Sequence, residues 1–172
     1  MYIWKFIILL LTVSYGAALS AETFGPLQPL TFSKLKPEDT LIVRLDSGGC
    51  FGGQTHELTF SQASELTVSV VELSQKAARD GVAIPQTSRV HLGTLALSSS
   101  DVDGLDRLMK FYRSWRIGGG CTIVNHITFT QQSDGETVAT QQIEDDSCRT
   151  FEMNDLTTFS ELISRLEPLE QL

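Results

Sequence analysis

From Leu41 to Asp46 apolar and polar residues alternate, and alternating or β-branched runs return over His56 to Phe60, Leu66 to Leu73 and Val90 to Leu97. Each reads as a strand with one side turned inward. The period then changes. Val102, Leu105, Leu108, Met109 and Tyr112 recur at three- and four-residue steps and predict one apolar stripe of a helix. Ser100 stands at its start with Asp103 three positions on, the spacing of a capping box, and Gly118-Gly119-Gly120 ends the unit. Beyond it, Thr122 to Gln132 and Thr137 to Ile143 are strand-like on either side of Asp134-Gly135. That dipeptide marks a hairpin, because both central residues of the turn need positive φ. A last stripe, Leu156, Phe159, Leu162, Ile163 and Leu166, predicts a second helix capped by Asn154 or Asp155 and stopped by Pro168.

The two halves resemble one another. Gly48-Gly49-Cys50 recurs as Gly119-Gly120-Cys121, Leu58 to Gln62 as Ile127 to Gln131, and Thr67-Val68 as Thr137-Val138. The apolar stripes of the two helices then match in order, after an insertion of about 16 residues placed at Gln75 to Ser88. Two apolar stripes need a surface to cover, and alternating strands supply one. The predicted fold class is therefore α+β: an antiparallel β-sheet with two amphipathic helices packed on one face, built from two similar strand-strand-strand-helix repeats related by an approximate two-fold. Residues 1–20 are set apart as a leader, 21–39 as an extended N-terminal segment, and 40–172 as one domain with repeats at 40–117 and 118–168.

The leader is a predicted signal peptide. Lys5 and the free amine precede Phe6 to Leu19, which carries no charge, and Ala18 and Ser20 fit the small-residue positions of a cleavage site. The cut is expected after Ser20 or Ala21. An uncharged run of 14 residues is shorter than the roughly 20 that span a bilayer, which favours cleavage over anchoring. Cleavage removes one basic residue and no acidic one, leaving 12 basic against 21 acidic residues, a formal charge of −9. Such a surface repels phosphate backbones and anionic lipid, so the expected partner is a protein rather than nucleic acid or membrane. The expected location is periplasmic or extracellular.

Export exposes Cys50, Cys121 and Cys148 to oxidation, and an odd count leaves one over. A two-residue turn at Asp134-Gly135 pairs residues whose numbers sum to 269, which sets Cys121 opposite Cys148 unless a bulge intervenes. Strict register also puts Thr140 and Gln142 beside Phe129 and Ile127, a sign that a bulge exists. Cys121–Cys148 is the preferred disulfide, with Cys50–Cys121 the alternative. Cys50, in a glycine-rich turn, is then either a reactive thiol or an inert buried cysteine. No basic neighbour in sequence lowers its pKa, which favours the inert reading.

His56, His91 and His126 lack the short spacing of structural zinc sites, so surface or partly buried strand positions are expected and no metal or other cofactor is predicted. Asp46-Ser47-Gly48-Gly49 resembles the nucleophile loop of chymotrypsin-like serine proteases, yet only about 25 mature residues precede Ser47 and none is histidine. Neither a Gly-x-Ser-x-Gly elbow nor a phosphate-binding loop is present. The carboxylate pairs Asp145 with Asp146 and Asp101 with Asp103 sit at a strand end and a helix first turn, where solubility and the helix dipole account for them.

Gly49-Cys50-Phe51-Gly52 resembles the opening of an uncharacterised family of small secreted or lipoprotein domains, which begin Gly-Cys-Phe-Gly-x-Cys-Pro followed by a tyrosine. Gln54 and Thr55 stand where that family has its second cysteine and proline, so its local thiol pair cannot form in this chain. The resemblance implies no activity. The residues point instead to a small exported, non-enzymatic binding protein, such as an inhibitor or an immunity protein, with the polar hairpin residues Gln131, Gln132, Asp134, Gly135 and Glu136 as its interaction element. A thiol-dependent enzyme or redox protein using Cys50, or an envelope structural component, are the alternatives.

Overall fold

The computed structural model describes residues 31–48, 53–75, 87–114, 124–146 and 155–166. The leader, the three cysteines and Gly118 to Gly120 lie outside these. A short 3₁₀ turn at Phe32–Lys34 leads into β1 (Asp39–Gly48), β2 (Gln54–Gln62), β3 (Leu66–Gln75) and β4 (Thr87–Ala96). Helix α1 (Ser99–Ser114) follows, then β5 (Val124–Ser133), β6 (Glu136–Asp145) and α2 (Phe159–Ser164). The six strands form one antiparallel sheet in the order β4-β3-β2-β1-β5-β6. The alternating runs are all strands because each places its apolar phase on the same side: Leu41, Val43 and Leu45 of β1 lie level with Phe60, Leu58 and His56 of β2, and the last two with Phe129 and Ile127 of β5.

Sheet outweighs helix. Strand accounts for 56% and helix for 24% of the described residues, so the fold lies closer to all-β than to the predicted α+β arrangement of two amphipathic helices. The second helix is the reason. Its stripe runs from Leu156 to Leu166, but only Phe159–Ser164 is helical. Thr158, not Asn154 or Asp155, caps it, accepting a hydrogen bond from the Glu161 amide at 3.1 Å. Leu156 is buried from the chain ahead of the helix and Leu166 is partly buried beyond its end, so apolar spacing alone overstated the helix.

The predicted two-fold is also corrected. The matched strands β2 and β5 flank β1 and are both antiparallel to it, hence parallel to one another. A two-fold axis normal to the sheet would reverse one against the other. The similar segments are instead displaced sideways across β1, with Leu58 and Phe60 turned to the same side as Ile127 and Phe129. β4 pairs along the free side of β3, and among the described residues no strand lies beyond β6.

Helix α1 begins two residues earlier than a Ser100 cap predicts because Ser98 is its cap. The Ser98 hydroxyl accepts from the Asp101 amide at 3.2 Å, and the Asp101 carboxylate accepts from the Ser98 amide at 2.9 Å, so the reciprocal pair is Ser98 with Asp101 rather than Ser100 with Asp103. Gly104 lets the helix approach the chain ahead of α2: a Cβ there would lie 2.6 Å from the Thr157 backbone nitrogen. Arg107 donates to the Asp155 carbonyl at 2.7 Å, and Arg165 pairs with Asp101 at 2.9 Å, fastening α2 to α1. Phe159 closes the core. Its ring meets Phe60, Phe129 and Phe32 at centroid distances of 6.2, 5.8 and 6.4 Å.

Candidate functional site

Helices and the 3₁₀ turn cover one side of the sheet; the other side carries no described element. Its residues are the polar phase of the strand alternation. One row across β6-β5-β1-β2-β3-β4 reads Glu144, His126, Asp46, Thr55, Leu73 and Arg89. The next reads Gln142, Thr128, Arg44, Glu57, Val71 and His91, and a third Thr140, Thr130, Ile42, Thr59, Ser69 and Thr94. Threonine dominates the third row because a β-branched side chain suits a pleated surface while its hydroxyl stays wet.

Charges on this bare face are matched, within β1 and between β4 and β2. Arg44 pairs with Asp46 at 3.1 Å and Arg89 with Glu57 at 2.5 Å. Thr55 donates to Asp46 at 2.7 Å, and Ser69 bonds His91 at 3.1 Å. Partial burial of Asp46 opposes its ionisation, but the hydrogen bonds from Thr55 and Arg44, with the charges of Arg44 and His126, hold its carboxyl below the ordinary range. A shallow depression of about 340 Å³ lies over β1, β5 and β6, lined by Asp46, His126, Thr128, Gln142 and Glu144 among others. Of its lining side chains, Asp46 is held in place by Arg44 and Thr55.

The opposite side holds a buried polar pair. Tyr112 of α1 donates to Asp145 of β6 at 2.9 Å, with Asn125 opposite Asp145 in the register. Burial, then the charge of Asp145 and the hydrogen bond to it, push the Tyr112 hydroxyl far above its ordinary pKa. The carboxylate pairs of the sequence are therefore split between roles: Asp145 and Asp101 are buried and bonded within the fold, whereas Asp103 is exposed.

The histidines are apart. His56 is buried on the helix side, while His91 and His126 are exposed on β4 and β5 with three strands between them. Among the described residues no group of three His, Cys, Asp or Glu side chains could hold a metal ion, and no helix is long and apolar enough to cross a membrane. Asp134 and Gly135 form the turn expected of them, with φ of 51° and 81°. The hairpin does not stand clear of the sheet, however. β1 runs beside it as far as Asp39 opposite Ser133, and the Asp134 amide donates to the Glu38 carbonyl at 3.2 Å. Gln131 and Gln132 are half-buried, and only Asp134, Gly135 and Glu136 of the proposed element are exposed, followed by Thr137 and Val138.

The suspected bulge is present. Residue numbers sum to 269 at Ser133 with Glu136 and Gln132 with Thr137, but to 270 from Gln131 with Ala139 through Asn125 with Asp145. The constant sum of 269 behind the Cys121–Cys148 pairing is therefore not kept along the described hairpin; the cysteines themselves, Cys50 included, are outside the described residues. The bare face holds no sequence motif, although the polar phase of each strand marks it. No protein-family model, curated protein or solved structure matches the chain.

Proposed function

We infer that this chain is an exported binding protein whose bare sheet face engages a protein partner, an inhibitor or immunity protein being the type. The observation that supports this is the uncovered polar face itself. Six strands at about 4.8 Å spacing, over roughly eight residues at about 3.3 Å each, present on the order of 750 Å², near the ~800 Å² each partner contributes to a standard protein interface. Its ion pairs and Thr–Asp and Ser–His bonds fix the side chains in advance, which lowers the entropy lost on docking. The acidic balance of the chain steers a basic partner toward it.

The test is capture from the native envelope or medium on immobilised mature protein, with two variants alongside. Thr59→Arg with Thr128→Arg alters the bare face, and Lys110→Glu alters the solvent side of α1. A partner retained by wild type and Lys110→Glu but lost by the double variant supports the reading. Equal retention by all three, or no specific partner at all, counts against it.

A further inference from the structure

Among the described residues the sheet ends in two edge strands, β4 and β6, each of ten residues and each paired there on one side only. Their chemistry is opposite. β4 contains Arg89 and His91 and no acid, whereas β6 contains Glu136, Glu144 and Asp145 and no base. Among the described residues, the two exposed large apolar side chains are Val90 and Val138, one on each edge. We propose that copies of this chain associate edge to edge, β6 of one against β4 of the next.

Strand direction permits it. β1 is antiparallel to both its neighbours, and the alternation continues outward, so β6 and β4 point in opposite directions. A copy set beside the β6 edge with its own bare face on the same side therefore offers β4 as an antiparallel partner, and the six-stranded sheet is continued without inversion. Each edge has a bulge, at Val70/Val71 opposite β4 and at Gln131/Gln132 opposite β6. The longer regular stretches are Thr87 to His91 and Ala139 to Asp145, and both lie toward the end of the sheet where β1 finishes.

Setting Arg89 beside Glu144 in that antiparallel register places both on the bare face, puts Val90 beside Ile143 on the helix side, and leaves His91 beside Gln142. Arg89 gives one terminal nitrogen to Glu57, and its side chain, 58% exposed, keeps further guanidinium donors for a second carboxylate. Self-pairing of two β6 edges would instead bring acid against acid. The contact uses different surfaces on the two copies, so it is heterologous and repeats. It is also small, at the weak end of interface sizes, and charge-dependent.

Sedimentation velocity on the mature oxidised protein, from micromolar to millimolar and at low and high salt, tests this, with a non-reducing gel showing that no intermolecular disulfide contributes. The average mass is expected to rise beyond two protomers with concentration and to fall in high salt. Glu144→Arg, at an exposed position, is expected to need roughly tenfold more protein for the same mass, and adding Arg89→Glu to it is expected to restore the wild-type curve. A monomer at every concentration in low salt, a mass that stops at two, indifference to salt, or a single variant that associates like wild type would overturn the proposal.

Discussion

Tyr112 and Asp145 meet 2.9 Å apart between α1 and the edge strand β6, both buried. The bond ties the helix layer to a strand whose one described neighbour in the sheet is β5. Tyr112→Phe removes the donor and leaves the carboxylate one partner fewer, at a cost of about 2 kcal/mol. Because the folded Tyr112 hydroxyl titrates above the unfolded value, its contribution is complete below about pH 10 and is lost as pH rises beyond it. Urea unfolding at pH 7 and pH 11 should show the wild type weakening at the higher pH and the variant weakening less.

Gly104→Ala reverses the usual sign. In an exposed helix the change stabilises by up to about 1 kcal/mol, but here the new methyl meets the Thr157 backbone and a loss of about 1–3 kcal/mol is expected. Thermal unfolding decides, and a gain in Tm would mean that the α1–Thr157 approach is looser than described.

Asp101 carries an acid dependence. The hydrogen bond from Arg165, helped by those from Ser98 and opposed by burial, holds its carboxyl below the ordinary value. The stability this supplies is present above the unfolded pKa near 4 and is lost as pH falls through the lower folded value. Arg165→Ala should cost about 1 kcal/mol at pH 7, a modest figure because the guanidinium is partly exposed, and should flatten the stability profile below pH 4.

Gly135→Val should strain the hairpin. A β-branched residue at a φ of 81° is disfavoured, so a loss of about 1–2 kcal/mol is expected, while Asp134→Asn, whose side chain tolerates a φ of 51°, should change little. Denaturant midpoints of the two variants measure the difference.

For the cysteines, the expected result of peptide mapping under non-reducing conditions remains Cys121 linked to Cys148, with Cys50 left over. The strand ends that lead to them are neighbours: Gly48 lies opposite Val124, and Asn125 opposite Asp145. Reduction should then lower stability by about 2–4 kcal/mol. A Cys50–Cys121 link would place the bridge across β1 and β5 instead.

Strand positions were legible because one buried face imposes a two-residue period that Leu41, Val43 and Leu45 display openly. Strand order was not. The similarity of Leu58–Gln62 to Ile127–Gln131 reflects two strands that pair with the same neighbour, and sequence likeness does not say whether such strands are rotated or merely displaced. The second helix was overstated because Leu156 and Leu166 satisfy helical spacing while being buried by other means. The bare face was visible as the polar phase of every strand, yet it holds no motif, and attention to cysteines, histidines and the turn passed over Arg44, Thr59 and Thr128. Ser98 lost to Ser100 at the helix start because three consecutive serines all offer a capping hydroxyl.

Placing β1 between β2 and β5 has a consequence for the order in which the protein can be made. Leu41, Val43 and Leu45 find their first neighbour within twenty residues, but their second arrives only with residues 124–133. A nascent chain that stops short of β5 keeps the backbone of its central strand open along one whole side, an invitation to intermolecular pairing during synthesis. Completion of folding therefore waits for nearly the entire polypeptide to emerge, and any fragment ending at α1 should need a chaperone to stay dispersed.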